Sequence, residues 1–86
     1  MDDSALFDRS FVIIASGCVR HAAYSTAPII RAVHAGDAFP AHRVRGKVYR
    51  GTDAWVRVRL QSGITGYVFE SYGVWPDKEE QHASEL

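Results

Sequence analysis

Two kinds of side chain in this chain could carry chemistry: one cysteine set among scattered histidines, and a series of arginines interleaved with aromatic rings. A Cys-His nucleophilic pair would need Cys18 beside His21, His34 or His42, together with an acid or amide to orient the imidazole. Cys18 and His21 stand three apart on a strand and its exit, which turns them to opposite faces. Cys18 is expected to be a small, inert hydrophobe. His21, His34, His42 and His82 lack the paired spacing of a zinc site, and Gly63 and Gly66 belong to a hairpin rather than to a phosphate loop. No catalytic residue, metal ligand or cofactor is therefore expected.

The arginine series is more informative. In "WVRVRLQSGITGYVFESY", residues 55 to 72, Trp55, Arg57 and Arg59 fall on one face of an extended strand, and Val56, Val58 and Leu60 on the other. Arg43, Arg45 and Lys47 alternate in the same way upstream, with Val44 and Val48 between them and Tyr49 next. If the two strands pair, Arg43, Arg45, Lys47, Arg57 and Arg59 could share a basic face with Tyr49 and Trp55 among them. Such a face could bind single-stranded nucleic acid by stacking and charge. It could equally be the outer cover of a small barrel, with arginine stems laid along it. The cover is the expected reading, and nucleic acid ranks last among partners.

Charge is segregated although the net charge is zero. Residues 1–8 hold three acids and no base, residues 9–69 nine Lys and Arg against two acids, and residues 70–86 five acids against one lysine. A basic body between acidic ends can attract an anionic partner, or the ends can dock on a basic face of the same or a neighbouring copy.

At 86 residues, 47% hydrophobic and 12% aromatic, the chain is expected to fold as one small domain with a single core. One cysteine allows no internal disulfide, which favours a reducing compartment or a particle assembled in one. The acidic start does not read as an export signal, and "FVIIA" is too short to span a bilayer. The expected location is cytoplasmic or virion-associated, with no membrane partner.

The elements that must position these residues are short strands. "SFVIIASGCVRHA" reads as a strand with a bend at Gly17, and Ile29 to Val33 as another that stops at "AGD". Strands through Arg43–Tyr49 and Trp55–Leu60 flank the turn "RGTD". "QSG" is a glycine hairpin leading into "ITGYVF". "ESYG" reads as a short helical turn near Ser71 and Tyr72, and "VWP" as a last short strand. The expected fold is all-β, a small barrel of five or six short strands. It occupies residues 11–76, with an acidic arm over 1–10 and an acidic tail or frayed helix over 77–86.

These segments, in this order, resemble the bacterial SH3-like (SH3b) family. "CVRHAAYSTAPII" resembles its opening strand and loop, "VHAGDAF" its glycine-marked second strand, and "WVRVRL" its third. "QSGITGYVFESY" resembles its glycine hairpin, Gly66-Tyr67-Val68 and the Ser71-Tyr72 turn. Family members carry Ser/Ala-Gly-Pro after the first arginine, where this chain has His21-Ala22-Ala23. The resemblance implies a binding module, not an enzyme, directed at a peptide or a bacterial cell-wall (peptidoglycan) component. An alternative is a small virion or complex component that contacts its neighbours, or copies of itself, through the barrel and its acidic ends. Tyr24, Tyr49, Trp55 and Tyr72 are the candidate groove residues. Trp55 and Phe69 also suit core or end-plug positions, and Tyr24 and Tyr72 suit either role.

Overall fold

The computed structural model describes residues 7–76. The chain is all-β, as expected: one antiparallel sheet of seven strands, curled into a half-barrel compatible with a small SH3-like barrel. The strands are β1 (Arg9–Ile13), β2 (Gly17–Arg20), β3 (Ile29–Val33), β4 (Ala38–Tyr49), β5 (Thr52–Arg59), β6 (Thr65–Phe69) and β7 (Gly73–Val74). Their order across the sheet is β3-β2-β6-β5-β4-β1-β7, so β3 and β7 are its two edges. A 3₁₀ turn, Glu70–Tyr72, stands where the helical turn is expected. No helix among the described residues is long and apolar enough to cross a membrane.

Several boundaries differ from expectation; β5 starts at Thr52, inside the expected "RGTD" turn, and the last strand is Gly73–Val74 rather than "VWP". The first expected strand is two, β1 and β2, separated by Ile14-Ala15-Ser16. β1 begins at Arg9, within the stretch expected to be an arm, and Phe7 is already buried. β4 starts at Ala38 rather than Arg43, because its first half pairs with β1 (Phe11 opposite Phe39) and its second half with β5. The expected C-terminal tail, residues 77–86, lies outside the described residues.

The main core fills the concave face. Val56 and Val58 of β5 are fully buried with Phe11, Ile13, Val19, Val33, Ala41 and Val68, and Phe39 and Leu60 nearly so. The alternation predicted for β5 thus places its valines inward. Gly66 permits this closure, because a Cβ there would sit 2.4 Å from Val19 Cγ1 and 3.1 Å from the Arg20 carbonyl oxygen. Gly36 and Gly63 adopt φ of 100° and 91° in their turns, a region that favours glycine.

The other face of β5 is covered as well, near Trp55. Between the pairs Arg45–Ala54 and Tyr49–Thr52, three residues of β4 (Gly46, Lys47 and Val48) stand opposite Asp53 alone. Two surplus residues bend β4 over the ring of Trp55. The Lys47 N–H donates to the Ala23 carbonyl (2.9 Å), and Trp55 Nε1 donates to the Lys47 carbonyl (2.9 Å). Those two bonds tie the bend to the 21–28 loop on one side and to β5 on the other. Val48, expected on a buried face with Val44, projects to solvent at 74% exposure because it lies in this bulge.

Candidate functional site

Trp55 and Phe69 sit directly opposite one another on β5 and β6, on the convex face and apart from the main core. Their ring centroids are 5.3 Å apart at a steep angle. Tyr49 from the end of β4 meets Phe69 at 5.0 Å, edge to face, and Tyr72 from the 3₁₀ turn meets it at 5.9 Å. These arrangements are the ones that aromatic quadrupoles favour. The result is an aromatic cup outside the barrel.

The cup encloses a cavity of about 80 Å³ lined by Gly17, Cys18, Arg20, Ser25, Tyr49, Trp55, Phe69 and Tyr72. Trp55 and Phe69, at 2% and 3% exposure, make its floor, and the half-buried Tyr49 and Tyr72 its walls. Gly17 lets Tyr72 lie flat against β2: an added Cβ would fall 2.4 Å from the ring. The remaining wall comes from the loop after β2, which closes on itself through His21 N–H to the Pro28 carbonyl (2.9 Å) and Ala27 N–H to the Tyr24 carbonyl (3.2 Å). Arg20 Nη1 donates to the Ala27 carbonyl at 2.7 Å and pins the loop from below.

Three of the four candidate groove residues, Tyr49, Trp55 and Tyr72, therefore converge on one cavity. Tyr24 does not line it; its ring lies under Lys47 Nζ at 5.3 Å, on the outside of the same loop. Phe69, Arg20 and Cys18 join the site although they were not among the candidates. Phe69 lies one strand from Trp55, and Arg20 and Cys18 lie two strands away across β6, a placement that only the pairing of β5 with β6 and of β6 with β2 reveals.

The basic face is not continuous. Register places Arg43 opposite Val56 and Arg45 opposite Ala54, so these two share the side of the core valines and emerge at its rim. Arg57 and Arg59 are on the convex side with Trp55, and Lys47 is in the bulge. The surplus in β4 and the offset of the pairing defeat the shared face that simple alternation implied. Arg43 Nη2 donates to Glu70 Oε1 at 2.8 Å, and Trp75 Nε1 donates to Glu70 Oε2 at 2.7 Å. Arg45 approaches Asp53 at 4.0 Å. Arg57 and Arg59 hold their guanidinium carbons 5.7 and 4.5 Å from the ring centre of Phe7, which covers them.

A wider cleft of about 460 Å³ lies at the other end of the sheet, between Arg31, Asp37, Phe39 and Arg59. It has a carboxylate beside its cations, whereas the aromatic cup holds arginine alone. Among the described residues no three His, Cys, Asp or Glu gather as a metal site would require. Comparisons with protein-family models, curated proteins and solved structures find no match to this chain.

Proposed function

We propose that this chain is a non-catalytic binding module of the bacterial SH3-like kind, whose aromatic cup takes a small residue of an extended peptide, in the first instance a peptide of the bacterial cell wall. The observation that carries the reading is the convergence of Tyr49, Trp55, Phe69 and Tyr72 on one cavity under the loop that follows Arg20. A concave apolar site with a few polar groups at its side is the usual form of a ligand pocket. At about 80 Å³ it is smaller than the roughly 150 Å³ cavity that accepts a benzene ring, so it selects a short side chain and leaves the rest of a ligand across the rim.

The nucleic-acid reading draws no comparable support. It asks for exposed rings among cations on one face, whereas Trp55 is 2% exposed and the arginines divide between two faces.

The test is capture of the purified chain by isolated cell-wall sacculi. Binding should be lost in Tyr72→Ala and in Tyr49→Ala, and kept in Ile64→Ser, which changes an exposed residue in the β5–β6 hairpin. A wild-type chain that sacculi do not retain, or capture indifferent to both tyrosines, would sink the proposal.

A further inference from the structure

Among the described residues the cup is lined by one charged group, Arg20, and none of them forms an ion pair with it. Arg20 is half-buried on the cavity wall and spends one Nη1 proton on the Ala27 carbonyl. A guanidinium carries five donors, and the half-buried Arg20 keeps several of them open to solvent or to a ligand. Of the four acids among the described residues, Glu70 holds Arg43 and Trp75, Asp53 faces Arg45, Asp37 accepts the His34 backbone N–H at 2.9 Å, and Asp8 is exposed. Arg20 forms no ion pair with any of them.

A ligand that fills the cup and also engages Arg20 presents an anion immediately beside a small apolar group. An interior aspartate or glutamate could reach Arg20 with its carboxylate but offers no separate apolar branch beside it for the aromatic floor. A phosphate has no apolar group to fill it. The α-carboxylate of a C-terminal residue fits, since the carboxylate and the Cβ methyl branch from the same carbon. The planar guanidinium can take such a carboxylate through two parallel N–H bonds.

On the premise that the cup is the peptide site proposed above, we infer that it reads the free C-terminus of a peptide ending in an alanine-sized residue, with Arg20 binding the terminal carboxylate and Trp55 and Phe69 flooring the pocket for the methyl group. Arg20 is then the residue that decides between a chain end and an interior segment. Capture of terminal carboxylates is an established mode of peptide recognition. Here it would be performed by a side chain that also fixes the binding loop.

The experiment is an NMR titration of the full-length chain with acetyl-Gly-Gly-Ala as the free acid, with its C-terminal amide, and with the free acid ending in phenylalanine. The alanine acid should bind at least about tenfold more tightly than the amide, the usual scale for a hydrogen-bonded charge, and the phenylalanine acid should bind more weakly than either. In Arg20→Gln the gap between acid and amide should close while amide binding persists, and Arg20→Lys should keep part of the gap. Tyr72→Ala should lose both peptides. Equal binding of acid and amide by the wild type, a gap that survives Arg20→Gln, or no binding of either peptide overturns the inference. If Arg20→Gln fails to fold, the three wild-type titrations still decide. Tyr72-dependent capture by sacculi, alongside equal or absent binding of these peptides, would overturn the terminal-carboxylate inference and leave the peptide-site reading standing.

Discussion

Replacing Gly46 by alanine tests the feature on which the cup depends. Gly46 does not have positive φ, so alanine suits the backbone there, and through the unfolded chain alone it would stabilise by about 0.4–1 kcal/mol. The obstacle is space: the new methyl group would lie 2.4 Å from the Ala23 carbonyl oxygen, 2.5 Å from Ala23 Cβ and 2.6 Å from Trp55 Cδ1. Two of these are backbone-fixed atoms of the 21–28 loop, and the third is a buried ring, so the bend must lift. Overpacking of this kind costs roughly 1–3 kcal/mol. Lifting also stretches the Lys47–Ala23 and Trp55–Lys47 bonds, each worth about 0.5–1.5 kcal/mol net. Together, and after the unfolded-state gain, the loss comes to about 1–5.5 kcal/mol. At roughly 4–8 °C per kcal/mol for a domain of this size, the thermal midpoint should fall by at least about 4 °C. Urea unfolding followed by tryptophan fluorescence measures the change directly, with Gly63→Ala as comparison. Gly63 has open space around it but a φ of 91°, so its substitution should cost only the left-handed strain of about 1–2 kcal/mol and leave the Trp55 environment unchanged. A Gly46→Ala chain as stable as the parent would refute the packing of β4 over Trp55, and with it the origin of the cup.

Two further outcomes follow from the same geometry. Gly17→Ala drives a methyl group into the half-buried Tyr72 ring, which packs against the main core and Phe69; capture by sacculi should fall at least about tenfold while stability drops by the roughly 1–3 kcal/mol of overpacking, as read by parallel pull-down and thermal melts. Glu70→Ala removes the acceptor shared by Arg43 and Trp75 and should lower unfolding stability by about 1–3 kcal/mol, and Glu70→Gln by less because its carbonyl oxygen can still accept from Trp75 Nε1; equal losses in urea would show that the ion pair with exposed Arg43, not the indole bond, dominates.

The buried position of Phe7 also bears on any experiment that trims the acidic N-terminus. Phe7 packs edge-on against His42 at 5.0 Å and under Arg57 and Arg59, and Arg9 lies 4.1 Å from the ring centre of Trp75. A deletion through residue 9 removes these contacts as well as the acids. Neutralising Asp2, Asp3 and Asp8 in the full chain isolates charge from packing.

What could be read without coordinates was local. The strict alternation from Trp55 to Leu60 assigned the inward valines, because side chains of a strand point to opposite faces residue by residue. Gly36 and Gly63 were legible as turn glycines, and Ser71-Tyr72 as a helical turn, since these conformations are set within a few residues. The candidate rings Tyr49, Trp55 and Tyr72 were chosen by type, and three of the four meet.

What tertiary structure alone decided was register and its consequences. Whether Arg43 shares a face with Arg57 depends on which residues of β4 and β5 stand opposite, and the surplus at Gly46, Lys47 and Val48 leaves no mark in either strand's own pattern. The need for glycine at position 46 comes from Ala23, more than twenty positions away in the chain. Trp55 was legible as a large ring on the arginine side of its strand. That this side is closed there, and opens into a cup beside Arg20, follows from a loop, a bulge and a 3₁₀ turn brought together by the curl of the sheet.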